Sequence, residues 1–143
     1  LGVQLEFVTW ASVNTLTLAK EVLEGVNRSN MGLMVDTLHA HRSRVKPEEL
    51  ESCPPEWFNF FHLCDGPAAI PDTSEELIVI GRDARRYCGE GAIDMAAYIS
   101  RMPKNTTCSI ELPHLANAAE FGYAEHVRRC IASAKDYLKK HDL

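Results

Sequence analysis

The stretch Met31–Arg42, MGLMVDTLHAHR, runs from apolar side chains into Asp36 and then directly into His39, His41 and Arg42. A short apolar run that ends this abruptly reads as a buried strand. Its C-terminal end then carries groups that are costly to remove from water. Either the chain leaves the core there as a polar loop, or the strand ends in a metal site.

On both sides of this stretch, short apolar runs alternate with segments of helical period, the pattern of repeated strand–helix units around a parallel sheet. Val3 to Val8 (VQLEFV) is predicted to be a strand. Thr15 to Val26 is predicted to be a helix with Leu16, Ala19, Val22, Leu23 and Val26 on its core stripe. Gly32 to Asp36 is the second strand, followed by a short helix near Pro47 to Glu51, where proline suits a first turn. Asn59 to Leu63 (NFFHL) is the third strand, and a long loop rich in Pro, Gly and Asp follows it. A helix is expected at Ile93 to Met102 with Asp94 in its first turn. Thr107 to Leu112 (TCSIEL) is the fourth strand, and Tyr123 to Lys140 a closing helix whose basic end complements its dipole. There is no linker, so residues 1–143 read as a single α/β domain.

The four strands share one feature. The first carries Glu6, the second ends in Asp36, the third contains His62 and the fourth carries Glu111. Successive strand residues face opposite sides. The apolar neighbours Leu5, Phe7, Val35, Phe61, Leu63, Ile110 and Leu112 therefore face covering helices, while the four ionisable groups point the other way. Three carboxylates together are unfavourable unless a cation compensates. Three carboxylates and an imidazole suit one divalent metal ion, with Mn expected and Mg, Co or Zn admissible.

Composition narrows the classes. A formal charge of -5 with no Lys/Arg cluster argues against a nucleic-acid partner. No apolar run is long enough for a spanning helix and no leader-like segment opens the chain, so no membrane role and a cytoplasmic location are expected. The five cysteines are scattered without a C-x-x-C pair, which speaks for reduced thiols and against a thiolate zinc site.

With these residues in view, the chain resembles the C-terminal half of the xylose-isomerase-like TIM barrels. That superfamily, also called the AP endonuclease 2 type, holds sugar-phosphate isomerases and epimerases, endonucleases of the endonuclease IV type and 3-dehydroshikimate dehydratases. The resemblance is carried by "VDTLH", "HLCDGPA", "RRYCGEGAID" and "SIELP" and spans the whole chain. It implies a (β/α)8 barrel of which this chain supplies four β/α units, strands five to eight. It assigns Glu6, Asp36, His62 and Glu111 to one divalent metal, and His39 and Arg85 to the substrate. Two departures stand out: Cys88 occupies the usual proline position before Gly89, and the segment Gly66 to Cys88 is longer than in compact sugar epimerases.

The function implied is a divalent-metal-dependent sugar or sugar-phosphate isomerase or epimerase working through a metal-stabilised enediolate. Glu6 and Glu111 would exchange protons on opposite faces of a sugar or hydroxy-ketone substrate. His39 would donate to the oxygen where negative charge builds, and Trp10 would form a pocket wall. A lyase of the 3-dehydroshikimate dehydratase kind is the alternative, and a non-catalytic half-barrel fragment or binding module the third reading. A closed barrel takes about 250 residues, so a missing half-barrel or a second copy is expected at the open edges. Asp65 is expected either to orient a neighbour of the site or to cap the following loop. His41 and Arg42 are placed on the loop leaving the second strand, His114 near the site, and His126 and His141 on the surface. The glycines of Gly89-Glu90-Gly91 are read as serving turn geometry.

Overall fold

The computed structural model describes all residues, Leu1–Leu143. Four parallel strands, β1 (Val3–Glu6), β2 (Met31–Asp36), β3 (Phe60–Leu63) and β4 (Thr107–Ile110), lie side by side in sequence order. Helices α1 (Leu16–Val26), α2 (Thr37–Arg42), α3 (Ser74–Asp83), α4 (Met95–Ile99), α5 (Leu115–Phe121) and α6 (Tyr123–Lys140) occupy the connections. Two 3-10 turns, Pro47–Ser52 and Pro55–Trp57, precede β3. Parallel strands joined in order, each followed by a helix, form an arc of a β/α barrel.

The core lies between the outer sheet face and the helices. Phe7, Leu33, Val35, Phe61 and Leu63 are buried there with Ala19 and Leu23 of α1 and Cys130 and Ala134 of α6. Of the outward set that strand alternation selects, Phe7, Val35, Phe61, Leu63 and Leu112 are buried, while Leu5 on β1 and Ile110 on β4, the two edge strands, are partly buried. Val22 and Val26, assigned above to the core stripe of α1, are instead exposed. α1 packs against β1 and β2, and β1 is an outermost strand with no further β/α unit on its open side.

Several boundaries differ from the sequence expectation for local reasons. β1 stops at Glu6 because Val8 closes a turn with its N–H donating to Val13 O at 2.9 Å. His41 and Arg42 belong to α2 rather than to a loop, because Asp36 caps that helix with Oδ1 accepting from Leu38 N and His39 N. The segment after β3 contains α3, started by Thr73, whose hydroxyl accepts from Glu76 N and donates to the Glu76 carboxylate. Asp94 is the N-cap of the shorter α4 and accepts from Ala97 N. His114 caps α5 through Nδ1, which accepts from Asn117 N. His126 is buried, with Nε2 against Leu112 O at 3.0 Å and Nδ1 against the Tyr87 hydroxyl at 2.8 Å, so it fastens α6 to the end of β4. His141 is exposed and stacks on Tyr137.

Asp65 resolves to the capping role. Its buried carboxylate accepts N–H groups of Gly66, Gly89, Gly91 and Ile93 at 2.7 to 3.1 Å. Gly89 adopts φ 88°, a left-handed conformation that favours glycine. A Cβ on Gly91 would run into the Asp65 carboxylate and the Gly66 carbonyl. The two glycines thus let the 88–93 turn wrap closely around one carboxylate.

Candidate metal centre

Strand register explains how four residues at different sequence depths meet. Glu6 pairs with Met34, two residues short of Asp36; Asp36 pairs with His62; His62 pairs with Ser109, two short of Glu111. The ionisable positions therefore climb along the strands as the sheet is crossed. Barrel strands are tilted and staggered by about one residue per strand. That climb offsets the tilt and holds the four groups at one level near the C-terminal strand ends. One ligand atom from each of Glu6, Asp36, His62 and Glu111 lies within 4.8 Å of the others.

His62 sits in the middle. Its Nδ1 is 3.0 Å from Glu111 Oε2 and 4.0 Å from both Glu6 Oε1 and Asp36 Oδ2. A carboxylate only accepts, so Nδ1 carries a proton and donates to Glu111. That hydrogen bond, with the surrounding negative charge, holds the imidazole's pKa above its usual value despite burial. The same bond, helped by Arg85, pulls Glu111 down to about 2. Glu6 moves the other way: burial first, then repulsion from Asp36 and Glu111, raises its carboxyl to about 7.

Asp36 is fully buried and divides its two oxygens. Oδ1 caps α2, and Oδ2 faces the cluster and takes an ion pair from Arg85 Nη1 at 2.5 Å. Arg85, 3% exposed, also reaches Glu111 Oε2 with Nη2 at 3.2 Å and the Glu111 carbonyl with Nη1 at 3.0 Å. Its Nε donates to Gly81 O at 2.7 Å, which ties α3 to the site. Beside it lies Cys64, whose Sγ is 3.2 Å from Arg85 Nη1 and whose thiol is pushed up strongly by burial. Sequence reasoning had no signal for Cys64, since its position depends on folding alone.

The donor set fits one divalent cation. Its oxygen-rich composition with one nitrogen suits Mn, Mg, Co or Zn. Glu6 Oε1 is buried without a hydrogen-bond partner, as a lone pair awaiting a cation would be. A cation would also take the position of the His62 Nδ1 proton.

His39 stands at the edge of the cluster and is 2% exposed. Burial lowers its pKa and favours neutral imidazole, against the attraction of Asp36. Its Nδ1 faces Thr9, and its ring meets the edge of Trp10 at 4.9 Å between centroids. Trp10 in turn covers Gly81 so closely that a Cβ there would strike the indole. Trp10 thus joins the loop after β1 to α3. His41 and Arg42 pair with each other at 2.7 Å, and Arg42 also donates to Pro67 O.

Comparison with known proteins agrees with this architecture. The family described as "Xylose isomerase-like TIM barrel" matches residues 3–134. An inosose isomerase of Bacillus subtilis (strain 168) is 32% identical over 116 residues, covering 77% of this chain and 39% of the relative. A 3-dehydroshikimate dehydratase of Pseudomonas aeruginosa is 26% identical over 101 residues, covering 70% of this chain and 15% of the relative. The crystal structure of the IOLI protein with a zinc atom superposes with a TM-score of 0.83 at 25% identity, over 99% of this chain and 50% of that one. The chain therefore spans well under half of these curated relatives and half of that structural neighbour. No helix is long and apolar enough to cross a membrane. The fold, the strand-end site and the match over residues 3–134 lead to one assignment: the chain belongs to the xylose isomerase-like TIM barrel family.

Proposed function

We propose that this chain forms the metal-bearing half, strands five to eight, of a divalent-metal-dependent isomerase or epimerase acting on a polyol ketone, sugar or sugar phosphate. The observation that carries the reading is the convergence of Glu6, Asp36, His62 and Glu111 at the ends of four consecutive parallel strands. Similarity to inosose isomerases supports the substrate class, and the zinc of the IOLI structure supports a metal. Manganese, magnesium and cobalt fit the same oxygen-rich donors. Further β/α units, from the rest of a longer chain or from another copy, would close the barrel against the free edges of β1 and β4.

A bound divalent cation supplies Lewis acidity toward a carbonyl and its neighbouring hydroxyl. The remaining work falls to the side chains. Glu6 and Glu111 flank the site from the first and last strands, so one can take a proton from the carbon beside the carbonyl and the other can deliver one. His39 donates a hydrogen bond to the substrate oxygen that gains negative charge. Arg85 holds Asp36 and Glu111 in place and brings positive charge to the substrate side, and Trp10 walls the pocket.

The test is proton exchange. Protein loaded with Mn²⁺ or Zn²⁺ is given inosose in D2O, and deuterium at the carbon beside the carbonyl is followed by NMR. Metal-dependent exchange with formation of an isomeric ketone supports the reading; metal-loaded protein that exchanges nothing contradicts it. The similarity to a 3-dehydroshikimate dehydratase favours a lyase as the second reading. Water loss from 3-dehydroshikimate, seen as a new aromatic absorption without isomeric ketone from inosose, would select it.

A further inference from the structure

We infer that Thr9 is the positioning residue that fixes the tautomer of His39, holding the proton on Nε2 and leaving that nitrogen as the free donor of the site. The inference rests on the isomerase reading only for the use made of the donor. Two contacts meet at His39 Nδ1. The Thr9 hydroxyl lies 2.9 Å away, and the Thr9 backbone N–H points at the same nitrogen from 3.5 Å. A hydroxyl can donate or accept, so its contact alone leaves the tautomer open. A backbone N–H can only donate. With the amide aimed at Nδ1, a proton on that nitrogen would face another proton, so Nδ1 is the acceptor and the hydroxyl donates to it as well. The amide contact is long and weak, so it reports the tautomer while the hydroxyl supplies most of the restraint.

The neutral ring then carries its one proton on Nε2, because both Thr9 contacts to the ring fall on Nδ1. The ring's orientation is held independently. Trp10 meets it edge-on at 4.9 Å, and the His39 backbone N–H is bound by Asp36 Oδ1 at 3.0 Å. A histidine's role is set by what its other nitrogen bonds. Here a residue just past β1 decides which nitrogen of a residue on α2 is available to substrate.

Long-range ¹H–¹⁵N spectra of the metal-free protein above neutral pH test this, with Thr9→Val and Thr9→Ser as companions. The wild type and Thr9→Ser are expected to show His39 with a protonated Nε2 and an unprotonated, hydrogen-bonded Nδ1. Thr9→Val is expected to move the Nδ1 resonance toward that of an unbonded nitrogen, or to average the two nitrogens. A protonated Nδ1 in the wild type overturns the inference, and needs no variant to be seen. A Thr9→Val spectrum identical to the wild type overturns it too. The readout is independent of turnover, so inactivity toward inosose would count against the isomerase reading and leave the tautomer result standing.

Discussion

Arg85 Nη1 lies 2.5 Å from Asp36 Oδ2, the carboxylate oxygen that also faces His62, and both residues are buried. One guanidinium thus balances part of the negative charge that four strand ends bring together. Removing one member of a buried pair leaves the other charged and unsatisfied, at a cost of about 3–5 kcal/mol. Arg85→Met should destabilise the chelator-treated protein by about that amount in urea unfolding. Added Mn²⁺ should recover part of the loss, because the ion replaces the missing positive charge. An unchanged midpoint in chelator would show that Arg85 is dispensable to the cluster.

Glu6 gives a pH signature. Its carboxyl is raised from 4.5 to about 7 in the folded, metal-free protein, so between those values the folded state binds more protons than the unfolded one. Stability from this group is present below pH 4.5 and is lost as pH rises through 7. Glu6→Gln cannot ionise and should be more stable than the wild type at pH 8 without metal, by at most about 3 kcal/mol, with no difference near pH 4. Metal should reverse the order at pH 8, since the wild type binds it more tightly. Thermal melts at both pH values with and without Zn²⁺ provide the check, and a destabilised Glu6→Gln at pH 8 in chelator would refute the expectation.

The turn around Asp65 should be as sensitive as a core position. Gly91→Ala places a methyl group against the Asp65 carboxylate and the Gly66 backbone. Overpacking of this kind costs about 1–3 kcal/mol. Amide exchange should quicken at Gly89, Gly91 and Ile93, whose N–H groups the carboxylate holds. Wild-type exchange rates in the variant would mean that the turn has room to spare.

Strand patterning made the sheet and the four ionisable positions legible, because alternation is a local property and each ligand candidate has at least one apolar neighbour in its strand. The tighter structure around them was less visible. Asp36 could be read as a strand end, yet its second role as cap of α2 places His41 and Arg42 on a helix rather than on the expected loop. The Thr73–Glu76 capping pair was present in the sequence and was overshadowed by the prolines and glycines around it. Cys64 and Thr9 left no trace at all, since their contacts join residues about 20 to 30 positions apart. His126 sits on the buried face of α6, where Tyr87 and Leu112, distant in sequence, satisfy its ring.

The central claim is that Glu6, Asp36, His62 and Glu111 hold one divalent ion, and zinc X-ray absorption on a stoichiometrically loaded sample tests it most directly. The expected result is one ion per chain in a coordination sphere of oxygens with a single imidazole, at about 2.0–2.2 Å, and loss of the ion in His62→Gln. A sulfur scatterer at about 2.3 Å, pointing to Cys64 or another thiol, or a folded protein that retains no ion, would contradict it.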